Sequence, residues 1–130
     1  MIVDSSAILA ILQEEPEADR FRLALTGDSY CAVSVANWLE LGMLAFRRRG
    51  EDGVRDLDLL VAQHSLVIEG VTPAQGRLAR RAFMKYGKGV HPARLNFGDC
   101  FAYALAKDTG EPLLFKGEDF TQTDVAAAAY

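Results

Sequence analysis

The chain has 130 residues, half of them apolar and a quarter charged, with a formal net charge of −4. That length suits one packed domain over residues 1–130 rather than two. No run of about 18 apolar residues is free of charge, which excludes a helical membrane span, and Met1-Ile2-Val3-Asp4 lacks the basic start of a secretory signal, so a cytoplasmic protein is expected.

Met1 to Asp4 reads as a first strand, and Ser5 or Ser6 can N-cap a helix carrying Ala7, Ile8, Leu9, Ile11 and Leu12. Pro16 suits the first turn of a second helix running through Phe21, Leu23 and Leu25 to a stop at Gly27. Tyr30 to Val33 is a second strand. Ser34 caps a strongly apolar helix that closes on Arg47-Arg48-Arg49-Gly50, basic residues complementing the dipole before a glycine stop. Val54, Leu57, Leu60 and Val61 have helical spacing to about His64, and Leu66 to Glu69 is a third strand. Pro73 opens a helix to Gly87, and glycine and proline mark a loop from Tyr86 to Pro92. Asn96 caps the next helix, which ends at Gly110. Leu113 to Phe115 is a fourth strand, Gly117 to Thr123 a turn, and Val125 to Ala129 a weak helix or last short strand. Short apolar strands alternating with helices predict an α/β fold with a central parallel β-sheet flanked by helices.

Four acidic positions stand where a carboxylate is hard to explain by solubility. Asp4 ends the first strand. Glu40 lies among apolar residues from Val35 to Phe46, with Asn37 one turn before it. Asp99 lies in Asn96-Phe97-Gly98-Asp99-Cys100-Phe101, and Glu118-Asp119 follow Pro112-Leu113-Leu114-Phe115. An ionised carboxylate in apolar surroundings is costly unless it is paired or binds a metal, and converging carboxylates raise one another's pKa unless a cation sits among them. Oxygen-only ligands suit hard cations, so the expected site is a carboxylate pocket for Mg²⁺ or Mn²⁺ at the carboxyl edge of the sheet. Duller roles exist: Asp4 as a turn or cap residue, Asp99 as the capping-box acid behind Asn96, Glu118 and Asp119 as loop residues, Glu40 as half of a buried ion pair. Cys31 and Cys100 lack metal-ligand spacing and read as buried thiols.

Between Gly70 and Gly98 there is no acid and there are six basic residues, Arg77, Arg80, Arg81, Lys85, Lys88 and Arg94, which leaves eight basic against 18 acidic residues elsewhere. An acidic body with one basic segment suggests a local anion-binding surface, although a solvated helix face gives the same pattern.

Together, Met-Ile-Val-Asp-Ser-Ser-Ala at the start, Glu40, Asn96-Phe97-Gly98-Asp99-Cys100 and Leu113-Leu114-Phe115-Lys116-Gly117-Glu118-Asp119-Phe120 resemble a PIN-domain nuclease, more narrowly a VapC-type toxin of a bacterial type II toxin–antitoxin pair. The resemblance implies a three-layer α/β/α PIN domain, a Mg²⁺- or Mn²⁺-dependent ribonuclease activity, a homodimer and a cognate VapB-type antitoxin, with operator DNA met only through that antitoxin. It makes Asp4, Glu40, Asp99 and Asp119 the catalytic acids. Asp4 and Asp99 are then the metal ligands, and Ser6, Asn37 and Glu118 support them. The last motif departs from the family's usual Thr-x-Asp, so the fourth acid is open between Glu118 and Asp119. Arg77, Arg81, Lys85, Lys88 and Arg94 are the expected grip on RNA, with Tyr86 available to stack on a base. Trp38, Met43 and Phe46, on a helix apolar all round, are expected at the dimer contact. The competing expectations are an inactive PIN-like scaffold and another metal-dependent phosphohydrolase. An aspartyl-phosphate phosphatase wants an acid where Ser6 stands, and a phosphate-receiver domain wants an aspartate where Glu69 stands.

Overall fold

The computed structural model describes residues 1–130. In chain order the elements are β1 (Ile2–Val3), α1 (Ser5–Leu12), α2 (Ala18–Gly27), β2 (Ala32–Ser34), α3 (Val35–Gln63), β3 (Val67–Glu69), α4 (Pro73–Tyr86), α5 (Phe97–Thr109) and β4 (Leu113–Leu114). All four strands are parallel, in the order β3-β2-β1-β4. The strands are one or two residues shorter than the sequence suggests, and β2 is displaced to end at Ser34, the residue that also caps α3.

Alternation along each strand divides the core into two. Ile2, Ala32 and Leu113 point into one cluster with Tyr86, Leu95, Tyr103, Leu105 and Phe115 from the α4–α5 side. Val3, Val33 and Leu114 point the other way, against Ile8, Phe21, Leu41 and Leu57 from α1, α2 and α3. Both faces are covered over β1, β2 and β4, as a parallel sheet of short apolar strands requires, while the edge strand β3 stays exposed. The strand order reverses direction at β1, so the crevice between the carboxyl ends of β1 and β4 is the topological switch point, where open α/β sheets place their ligands.

Three details differ from the sequence reading. The N-cap of α1 is Asp4 rather than Ser5 or Ser6, its side chain accepting from the Ser6 amide. The second helix starts at Ala18, leaving Pro16 in the turn before it. Residues 125–129 form neither helix nor strand, apart from a single parallel bridge between Ala127 and Leu113. The stop at Gly50 is real: α3 breaks there at φ 62°, ψ −147°, left-handed backbone that glycine tolerates, and resumes to Gln63. Thr72 caps α4, and a left-handed Gly110 ends α5.

Candidate active site

The switch point carries Asp4. It leaves β1, is 3 % exposed, and uses one oxygen to cap α1: Oδ2 accepts from the Ser6 amide at 2.9 Å and from the Ser6 hydroxyl at 2.6 Å. The Ser6 hydroxyl in turn accepts from the Lys116 amide at 2.9 Å, so the end of β4 is tied to Asp4 through one side chain. The other oxygen, Asp4 Oδ1, is buried and has no hydrogen-bond partner.

Asp99 repeats the arrangement. It is 9 % exposed at the start of α5 and completes a capping box with Asn96: its Oδ2 accepts from the Asn96 amide at 2.8 Å while its own amide donates to Asn96 Oδ1 at 2.9 Å. Each acid thus spends one oxygen on its helix and keeps one that accepts no hydrogen bond.

Electrostatics show what this costs. Burial raises the pKa of Asp4, against the lowering effect of its bonds to Ser6, and Asp119 adds to the rise. Burial pushes Asp99 up to about 7; the Asn96 amide opposes this, while the negative charges of Asp4, Asp119 and Glu40 reinforce it. The negative charge of Asp119 bears on both acids.

Glu40 is not the buried mid-helix acid that its apolar neighbours suggest. It is exposed on α3 at the rim of the site. The neighbour that is buried is Asn37, whose Nδ2 donates to the Gly98 carbonyl at 2.9 Å. The Lys116 ammonium pairs with Glu15 and with Glu17, the latter at 3.0 Å.

No three of the acids, histidines and cysteines stand close enough to enclose an ion by themselves. The donor set nevertheless fits a hard divalent cation. Two nearby carboxylates each keep an oxygen that accepts nothing, one of them buried, and both are held above their ordinary pKa, first by burial and then by the charge of Asp119. Mg²⁺ commonly takes one or two carboxylates and keeps several waters, which suits an open pair.

Arg77, Arg80, Arg81, Lys85, Lys88 and Arg94 are all exposed and none is in a salt bridge, so the basic segment is a continuous uncompensated surface along α4 and the loop before α5. Tyr86 is not available for stacking. It is 5 % exposed, edge-on to His91 and packed against Tyr103.

Two apolar surfaces flank the acids. On α3, Leu39, Met43 and Phe46 form an exposed ridge beside a half-buried Trp38, so the helix is apolar but not covered all round. Between α4 and α5 lies a groove of roughly 490 Å³ lined by Ala79, Phe83, Phe97, Cys100 and Phe101, with Arg80 as its charged member. Phe97, two residues before Asp99, is 76 % exposed. The sequence reading missed this groove; its signal was Phe97 and Phe101 at helical spacing opposite the exposed Phe83.

An open parallel sheet with acids at its switch point defines a class of domain, and comparison with known proteins agrees with that class. Residues 1–126 match the family model described as PIN domain. The chain is 46% identical over 129 residues to ribonuclease VapC30 of Mycobacterium tuberculosis, covering 99% of this chain and 98% of that protein. By these matches the chain belongs to the PIN-domain family, among the VapC ribonucleases. The fold is also that of solved structures of low identity. One is Mycobacterium tuberculosis VapC20, a sarcin–ricin-loop-cleaving toxin, with TM-score 0.77, 16% identity, and 98% of this chain and 97% of that one covered. Another is a toxin–antitoxin complex from Klebsiella pneumoniae, with TM-score 0.72, 18% identity, and 99% and 97% covered. No helix is long and apolar enough to cross a membrane.

Proposed function

We propose that this chain is the toxin of a type II toxin–antitoxin pair, a Mg²⁺- or Mn²⁺-dependent endoribonuclease acting in the cytoplasm. The observation that carries the reading is the pair of helix-capping aspartates, Asp4 and Asp99, each with an oxygen that accepts no hydrogen bond, Asp4's being buried. That arrangement is unfavourable for an empty protein and favourable for one that holds a cation.

When bound, the ion supplies a lowered pKa for an attacking water and neutralises charge building on the phosphate. The rest is done by the chain. Asp4 and Asp99 would hold the ion with their free oxygens. Ser6 keeps Asp4 in one orientation, because two donors on Oδ2 leave only Oδ1 to turn inward. Glu40, exposed at the rim, would orient the attacking water, and Asp119 would complete the acidic set from the loop after β4. The six free cations offset the repulsion that these acids exert on a polyanion. Arg77, Arg81, Lys85, Lys88 and Arg94 follow the RNA backbone toward Asp99.

The α3 ridge and the α4–α5 groove are surfaces for two protein partners, a second copy of the chain and a VapB-type antitoxin that would lay an apolar segment beside the acids and insert a basic side chain, Arg for its bidentate fork, among them. Such an antitoxin is also the only route to operator DNA. Met43→Asp and Phe97→Asp sort the two surfaces: one variant becomes monomeric in light scattering and the other loses antitoxin.

The test of the chemistry is the identity of the RNA ends. Attack by water leaves 5′-phosphate and 3′-hydroxyl ends and needs no ribose 2′-OH. Cyclic 2′,3′-phosphate ends would overturn the metal-water mechanism, and an absence of cleavage by purified protein with Mg²⁺ or Mn²⁺ would leave only a binding scaffold.

A further inference from the structure

The junction of α3 and α5 holds two residues whose chemistry packing does not account for. Asn37, in the first turn of α3, is 1 % exposed, and its Nδ2 donates to the Gly98 carbonyl at 2.9 Å. A carbonyl only accepts, so this bond fixes which way the amide faces. Its Oδ1 is then left buried with no donor. The bond is not needed to satisfy Gly98, because a carbonyl in the first turn of a helix already receives the amide one turn on. Burying an amide with half of its capacity unused costs stability, and an aliphatic residue would fill the same place without that cost.

Gly98 is the second anomaly. Glycine weakens a helix, yet here it sits in the first turn of α5, directly before Asp99. A methyl group there would lie 3.0 Å from Glu40 Oε2, and 3.4 Å from Asn96 Oδ1. Glu40 is one turn beyond Asn37 on α3. Two acids from different helices thus approach each other across a residue without a side chain, and a buried amide from one helix grips that residue's carbonyl. Strained or costly choices of this kind collect at functional sites.

We propose that Asn37 and Gly98 are the positioning pair of the site: Asn37 docks the start of α5 against α3, and the bare Gly98 admits the Glu40 carboxylate beside Asp99. The proposal rests on the nuclease reading above and adds to it the element that sets Glu40 against Asp99. Neither residue touches the ion or the RNA; both act through the acids.

Gly98→Ala is the cleanest test, since alanine is the better helix former and the nearest atom that its methyl meets is the carboxylate end of the exposed Glu40 side chain. The melting temperature should equal or exceed that of wild type. RNA cleavage should lose roughly tenfold or more in kcat with KM little changed, within the range seen when the surroundings of a metal site are disturbed. In a Glu40→Ala background the same change should cost nothing further, because no carboxylate remains to be displaced. Asn37→Ala should weaken Mn²⁺ binding, read by electron paramagnetic resonance of the metal alone, by about 10- to 100-fold. The pair is refuted if Gly98→Ala cuts RNA like wild type, or if its loss is as large without Glu40. Wild-type Mn²⁺ affinity in a folded Asn37→Ala variant removes Asn37 from the pair. Should Asn37→Ala not fold, the Gly98→Ala cycle alone decides. A wild-type chain that neither binds Mn²⁺ nor cuts RNA overturns the nuclease reading itself, which separates that failure from this one.

Discussion

The acid pocket and the basic segment meet at the start of α5, and they are built by opposite rules. In the pocket the two buried carboxylates are pinned: Asp4 by two bonds from Ser6, Asp99 by its capping box with Asn96. Burial works against both charges. Along α4 and its loop six cations stand in solvent with no acid to hold them. One region invests stability in geometry, and the other supplies charge without fixed geometry. This is the division expected of an enzyme that must place an ion accurately and hold a flexible polyanion loosely.

The comparison breaks most visibly if the acids are neutralised. Asp4→Asn and Asp99→Asn should each lower RNA cleavage by more than about 100-fold, beyond the range for groups that merely surround a metal ligand. Each should also leave the ion-free protein as stable as wild type or more so, because an uncompensated buried charge is removed. A variant that loses activity and melts earlier would place the acid among the structural caps instead.

A smaller effect is expected from pH. Folded Asp99 keeps its proton up to about pH 7, against 3.8 for the ordinary carboxyl. Its protonation therefore favours the folded state at low pH, and that contribution is lost as the pH rises from about 4 through 7, amounting to a few kcal/mol at most. Ion-free wild type should lose thermal stability relative to Asp99→Asn between pH 5 and pH 8. Saturating Mg²⁺ should close the gap, and Mn²⁺ affinity should fall as the pH drops below 7. Parallel pH profiles for the two proteins would contradict the assignment.

The smallest effect belongs to the loose region. Lys88→Gln with Arg94→Gln should weaken RNA binding modestly and flatten its salt dependence by about 1.4 in the logarithmic slope, about 0.7 per phosphate contact on a single strand. Mn²⁺ affinity should stay where it was. An unchanged slope would make the segment a solvated face and send the RNA elsewhere.

How much of this could be read from the chain alone follows the same division. Asp4 and Asp99 were legible because a carboxylate in an apolar run needs a reason. The acid-free stretch was legible by counting. The order of strands and helices, the Asn96 cap and the Gly50 break were written in local chemistry. What the sequence could not show was rotation. Glu40 and Asn37 sit three residues apart, and only the packing of α3 on the sheet and α5 decides that the amide is buried and the acid exposed. Tyr86 misled for the same reason, since a loop neighbour of basic residues turned inward onto Tyr103 and His91. Asp4 as a cap, rather than Ser5 or Ser6, depended on where β1 ends.

The single bridge near the C-terminus has a further meaning. The Leu113 amide donates to the Ala126 carbonyl at 2.8 Å, and the Ala128 amide donates to the Leu113 carbonyl at 2.8 Å, so the residues after the acidic loop return to occupy the outer side of β4. On the opposite side, β3 has no such cover, and its Val67 and Ile68 are exposed. The sheet is therefore sealed on the side that carries Asp119 and open on the side farthest from it. Unwanted strand addition between copies is directed to β3, away from the chemistry, and a charged residue at Val67 is the change that guards against it.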